Sequence, residues 1–123
     1  MRGKPKDAFT SYASSLSDAL ATYCSLKGAD RTAFFFTAAK RNVGYVLEHL
    51  GDRPIDTYSS ADAASFRNWL IDRGLTTSSI SRIFGTVRAV INLTIQEHGL
   101  DCRNAFANIY LPKKVEEKRK PIP

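Results

Sequence analysis

Arg82 presents a planar fork of N–H donors, and Ser78, Ser81, Gly85, Arg88 and Asn92 share its side of a helical wheel. No acidic residue falls between Asp72 and Glu97 to offset the two arginines. A guanidinium so placed binds phosphate, or pairs bidentately with guanine in a major groove. Thr77, Ser78 and Ser79 add hydroxyls and backbone N–H groups at the start of the stretch, where a helix macrodipole favours a phosphate oxygen. A second basic group comes earlier. Thr37 and Arg41 fall on one side of residues 32–50 with Phe34, Ala38 and Tyr45, and Lys40 stands on the flank with a stem able to lie over apolar surface. These residue types offer anion binding, and the pattern reads as docking to DNA. Gly85 fits either close approach of a sugar-phosphate strand or tight packing against a neighbouring helix.

Nucleophilic and metal chemistry find no comparable pattern. Ser, His and Asp show no nucleophile-elbow context, and none of the five tyrosines sits in a recognisable catalytic setting. Cys24, Cys102, His49 and His98 are the four potential zinc ligands, but the close pair, His98 and Cys102, straddles Gly99 and has no matching second pair. Neither a metal site nor a cofactor is expected. The two cysteines read as reduced thiols packed as small apolar groups.

The elements that must hold the basic residues follow from apolar periodicity. Ile80, Phe84, Val87 and Ile91, flanked by Ile83, Val90 and Ile95, form a stripe of 3.6-residue period and predict one long helix over residues 75–99. Phe36, Ala39, Val43, Val46, Leu47 and Leu50 predict the buried stripe of a helix over 32–50 that stops at Gly51. Phe34 and Tyr45 fit two readings there: outward beside Arg41, or packed on the first helix with Arg41 paired to Glu48 or to solvent. That first helix is expected from near Asp7 to about Leu26, with Phe9, Tyr12, Leu16, Ala19, Leu20 and Tyr23 inward and a left-handed Gly28 as its stop.

Pro54 discourages helix across residues 51–60, where Ile55 plugs the core. A third helix is expected after Ser59 or Ser60, with a serine cap, Asp62 in its first turn, and Ala63, Phe66, Trp69 and Leu70 inward. Arg73-Gly74 ends it, and a short turn over 104–109 folds Phe106, Ile109 and Leu111 back. The predicted fold class is all-α, a bundle of four main helices plus a short C-terminal helical turn. With 123 residues, 43% of them apolar, the chain suits one domain, expected over 7–112 between a tail at 1–6 and a linker at 113–123. The net charge of +6 favours a polyanionic partner, and no apolar run approaches the length of a membrane span. A cytoplasmic protein is expected.

Several of these residues also stand in an order that resembles one family. Gly51-Asp52 with Pro54-Ile55, then Ala61-Asp62, Phe66-Arg67, Trp69-Leu70 and Arg73-Gly74-Leu75, look like the core-binding domain of tyrosine recombinases, the phage-type integrases. Ser79-Ile80-Ser81-Arg82, Val87-Arg88-Ala89, Asn92, His98-Gly99-Leu100, Asn104, Phe106 and Leu111-Pro112 continue the match. Residues 118–123 are similar to the entry to that family's catalytic domain. Ala105 departs from the family's usual proline, and Phe34-Phe35-Phe36 is richer in aromatics than the usual second helix.

The resemblance implies a SAM-like helical domain whose second and fourth helices face DNA, one jaw of a clamp closed by the catalytic domain. It carries Thr37, Lys40 and Arg41 on the second helix, and Thr77, Ser78, Ser79, Arg82 and Arg88 on the fourth, as DNA contacts. The implied partners are a duplex recombination core site, the catalytic domain of the same parent chain and other protomers on synapsis, in a nucleoid-associated setting. The family's attacking tyrosine and its arginine and histidine cluster belong to the catalytic domain, so no catalytic residue is expected in this fragment. The parent is expected to exchange DNA strands. The alternative class is a helical protein-interaction or oligomerisation module without direct DNA contact.

Overall fold

The computed structural model describes residues 14–28 and 31–111, so the expected tail and linker, with Phe9 and Tyr12, lie outside the described residues. Helix α1 spans Leu16–Lys27, where periodicity alone suggests a start near Asp7. Ser15 sets the boundary. It is extended, its hydroxyl accepts from the Asp18 amide at 3.2 Å, and its neighbours pair with the loop after the next helix. Leu16 donates to the Arg53 carbonyl and Ile55 to that of Ser14, both at 2.9 Å. A helix running on through Ser14 and Ser15 would forfeit both bonds.

Gly28 caps α1 in a right-handed conformation rather than the expected left-handed one. Its glycine has a steric reason instead, because a Cβ there would lie 2.3 Å from the Cys24 carbonyl oxygen and 2.4 Å from the Phe36 ring. Helix α2 (Ala33–Leu50) follows, then a single 3-10 turn at Ile55–Thr57. Helix α3 (Ser60–Asp72) opens with a full capping box: the Ser59 hydroxyl accepts from the Asp62 amide, and the Asp62 carboxylate from the Ser59 amide, each at 3.0 Å. Helix α4 (Thr77–His98) is capped by Thr76 and ends at Gly99, whose φ of 60° is the left-handed stop that glycine adopts without strain.

α2 and α4 pack on each other, and each also meets α1 and α3, so this pair forms the middle of the bundle. The fold is all-α; among the described residues the only strand-like pairing is the Ser15–Pro54 bridge. The stripe of α4 is buried as predicted except for the half-buried Ile95, and Phe84 joins Phe66 and Phe106 in an aromatic cluster with ring centres 5.5–6.2 Å apart. In α2 the buried positions are Ala39, Asn42, Val43 and Val46, while Phe36, Leu47 and Leu50 are half-buried at its margins. Ile55 fills the core under the loop, and Phe106 is seated by the turn that Asn104 forms. That asparagine donates to the Arg88 carbonyl and to the Asn92 side chain, both at 2.9 Å, fastening the C-terminal turn to α4.

Candidate nucleic-acid interface

Among the described residues, a side-chain hydrogen bond ties α2 to α4. Asn42 faces the core side of α2 and is 4% exposed. Its Nδ2 donates to Thr86 Oγ1 at 3.0 Å, and that hydroxyl donates in turn to the Arg82 carbonyl at 3.3 Å. A buried amide without such a partner would be costly, so the bond holds the two helices in one register. Neither residue stands out in the sequence except that Asn42 interrupts an apolar stripe between Ala39 and Val43.

Register at this point decides where the arginines go. Arg41, next to Asn42, and Arg82, one turn before Thr86, both line an open depression of about 270 Å³, along with Tyr45, Leu75, Ser79 and Ile83. Both arginines are exposed. Among the described residues neither guanidinium has a carboxylate partner, because Glu48 pairs with Arg73 at 3.6 Å. The expected Arg41–Glu48 alternative is therefore replaced by a pair between α2 and the end of α3. α2 has no acidic residue before Glu48, and α4 has none before Glu97, so the positive potential of the depression is not locally cancelled.

The remaining candidates are distributed unevenly around it. Thr37 is exposed one turn before Arg41, on the same side of α2, whereas Lys40 is exposed but does not line the depression. Ser79 lines it and Ser78 is exposed; Thr77 is half-buried. The backbone donors expected at this helix start are partly spent, since the Ser79 amide donates to Thr76 Oγ1 at 3.1 Å. Arg88 is half-buried, and its six-residue separation from Arg82 turns it about 120° around α4, to the flank where Asn104 binds its carbonyl. It does not join the Arg41–Arg82 pair. At Gly85 a Cβ would meet no atom within 4 Å, so no neighbouring helix demands glycine there.

Of the two readings for Phe34 and Tyr45, Phe34 takes the outward one and neither ring packs on α1. Phe35 takes that place, stacking on Tyr23 with ring centres 5.6 Å apart, and Phe34 is left 72% exposed. Tyr45 turns to α3 and meets Trp69 edge-on at 6.3 Å. Trp69 itself stacks on His49 at 4.9 Å, with the Arg73 guanidinium 4.6 Å from its centre. His49 also shares a hydrogen bond with Ser65, and His98 with Ser14. Among the described residues no group of three or more His, Cys, Asp or Glu side chains is placed to hold a metal ion, and both cysteines are free thiols. Burial pushes Cys102 above the ordinary thiol range. Tyr58 is buried, donates to the Gly51 carbonyl at 2.6 Å, and is likewise raised by burial.

A solved structure with the same architecture is that of the Tn1549 transposon integrase in complex with a circular intermediate DNA. It superposes with a TM-score of 0.66 over 87% of this chain, at 16% sequence identity. The chain shares the fold of the matching part of that integrase. It spans 33% of the length of that integrase chain. No protein-family model matches the sequence, and neither does any curated protein. No helix among the described residues is long and apolar enough to cross a membrane.

Proposed function

We propose that this chain is the core-binding domain of a site-specific tyrosine recombinase, docking duplex DNA with α2 and α4. The observation that carries the reading is the depression in which Arg41 and Arg82 converge without carboxylate partners, on a fold shared with part of an integrase solved on DNA. Arg41 and Arg82 supply phosphate or guanine contacts, while Thr37, Ser78 and Ser79 position the backbone. Lys40, Thr77 and Arg88 stand at the margins and contribute less. Gly85 admits a sugar-phosphate strand close to the α4 backbone.

In this reading the fragment binds and does not cleave. The parent protein carries a catalytic domain whose tyrosine attacks the scissile phosphate, and protomers meet on synapsed sites in the cytoplasm, at the nucleoid. Fluorescence anisotropy of the 123-residue chain with labelled duplexes of increasing length tests the DNA contact. Saturable binding that weakens as salt is raised supports it. Absence of binding at low salt, with tight binding to an acidic protein partner, overturns it. The parentage has its own test in the coding sequence downstream of Pro123: the reading requires an Arg, a His-x-x-Arg pair and a later Tyr there, and fails without them.

A further inference from the structure

The proposed contacts leave Phe34 unused, although it stands on the face they occupy. Phe34 and Arg41 are seven residues apart, within about 20° of each other around the helix and roughly 10 Å apart along it. A surface that meets Arg41 along this face therefore also meets Phe34, about three base-pair steps away. The fold makes no claim on that ring. Phe35 stacks on Tyr23 and has the Arg31 guanidinium 5.1 Å from its centre, and Phe36 meets Phe35 edge-on at 5.6 Å. Phe34 is 72% exposed at the rim of a depression of about 410 Å³ that Tyr23, Arg31, Phe35, Ala38 and Thr86 also line. Thr86 joins this depression to the one holding Arg41 and Arg82, through its hydrogen bond with Asn42.

We infer that Phe34 reads sequence: its ring contacts the 5-methyl group of a thymine in the major groove that α2 enters. The inference rests on the DNA-docking reading and adds a specificity residue to it. Duplex DNA fits this face by charge, because Arg31 lines the depression beside Phe34, Arg41 and Arg82 line the adjoining one, and α2 has no carboxylate before Glu48. A phenyl ring gains little from phosphate oxygens, and thymine offers the apolar group on the major-groove edge.

Selection from a randomised duplex pool by the 123-residue chain, wild type beside Phe34→Ala and Phe34→Leu, tests this. Wild type and Phe34→Leu are expected to enrich a common thymine that Phe34→Ala no longer enriches, with the same salt dependence in all three. Replacing that thymine by deoxyuridine removes only the methyl, and should weaken wild type by about fourfold, the value of one buried methyl-sized group, while leaving Phe34→Ala unchanged. Alanine is the better helix former, so an unchanged melting temperature confirms that the variant folds. Identical pools, or indifference to deoxyuridine while salt-dependent binding persists, overturn the inference and leave DNA docking standing. Loss of DNA binding by wild type itself removes both. If Phe34→Ala instead abolishes a self-associated form and selects the same DNA, the ring belongs to a contact between protomers and the inference falls.

Discussion

A buried amide stays buried because it is hydrogen-bonded, and Asn42 has Thr86 as its acceptor across the α2–α4 seam. Thr86→Val keeps the shape and removes the acceptor, so it should cost about 1–3 kcal/mol in urea denaturation. Thr86→Ser, which restores the hydroxyl, should recover most of it. At the start of α3 the Ser59 amide, and then Arg53, hold the Asp62 carboxyl below the ordinary aspartate range. That stabilisation is complete above the unfolded value and is lost as pH falls through the lowered folded one. Asp62→Asn should therefore cost about 1 kcal/mol at neutral pH and nothing once the folded carboxyl is protonated, measured by chemical denaturation at the two pH values. The capping box is legible in the sequence because its partners are three residues apart; the Asn42–Thr86 bond, 44 residues apart, is not.

Helix α4 is readable almost end to end, since its apolar stripe, its opening hydroxyls and Gly99 are all local signals. Helix α1 is not. Its true start depends on Ser14 and Leu16 pairing with residues 53–55, which periodicity cannot register, and Gly28 is crowded by a ring from another helix as well as by the Cys24 carbonyl. The same limit explains Tyr45, whose side of α2 follows from periodicity but whose partner, Trp69, lies on α3. Gly85 offers a test at this scale. With no atom within 4 Å of a Cβ there, Gly85→Ala should raise stability by about 0.5–1 kcal/mol by thermal melting. If a sugar-phosphate strand lies against α4, the same variant should bind DNA more weakly. Tighter or unchanged binding would remove Gly85 from the interface.

Across the whole molecule, the basic excess acquires meaning only through the bundle's arrangement. α2 and α4 are central in packing yet keep one seam open, so two arginines 41 residues apart in sequence reach one surface. The proposed DNA docking rests on two separate observations, the fold shared with part of the Tn1549 integrase and the paired arginines of this seam. The most direct test compares salt dependence of duplex binding for wild type, Arg41→Ala/Arg82→Ala, and a control removing the same charge elsewhere, Lys27→Ala/Arg67→Ala. Docking through the seam predicts that the first double variant lowers the log–log salt slope by about two, near 0.9 for each phosphate no longer neutralised, while the control leaves it unchanged. Equal slopes in all three proteins, or an equal drop in slope for both variants, would contradict docking through α2 and α4.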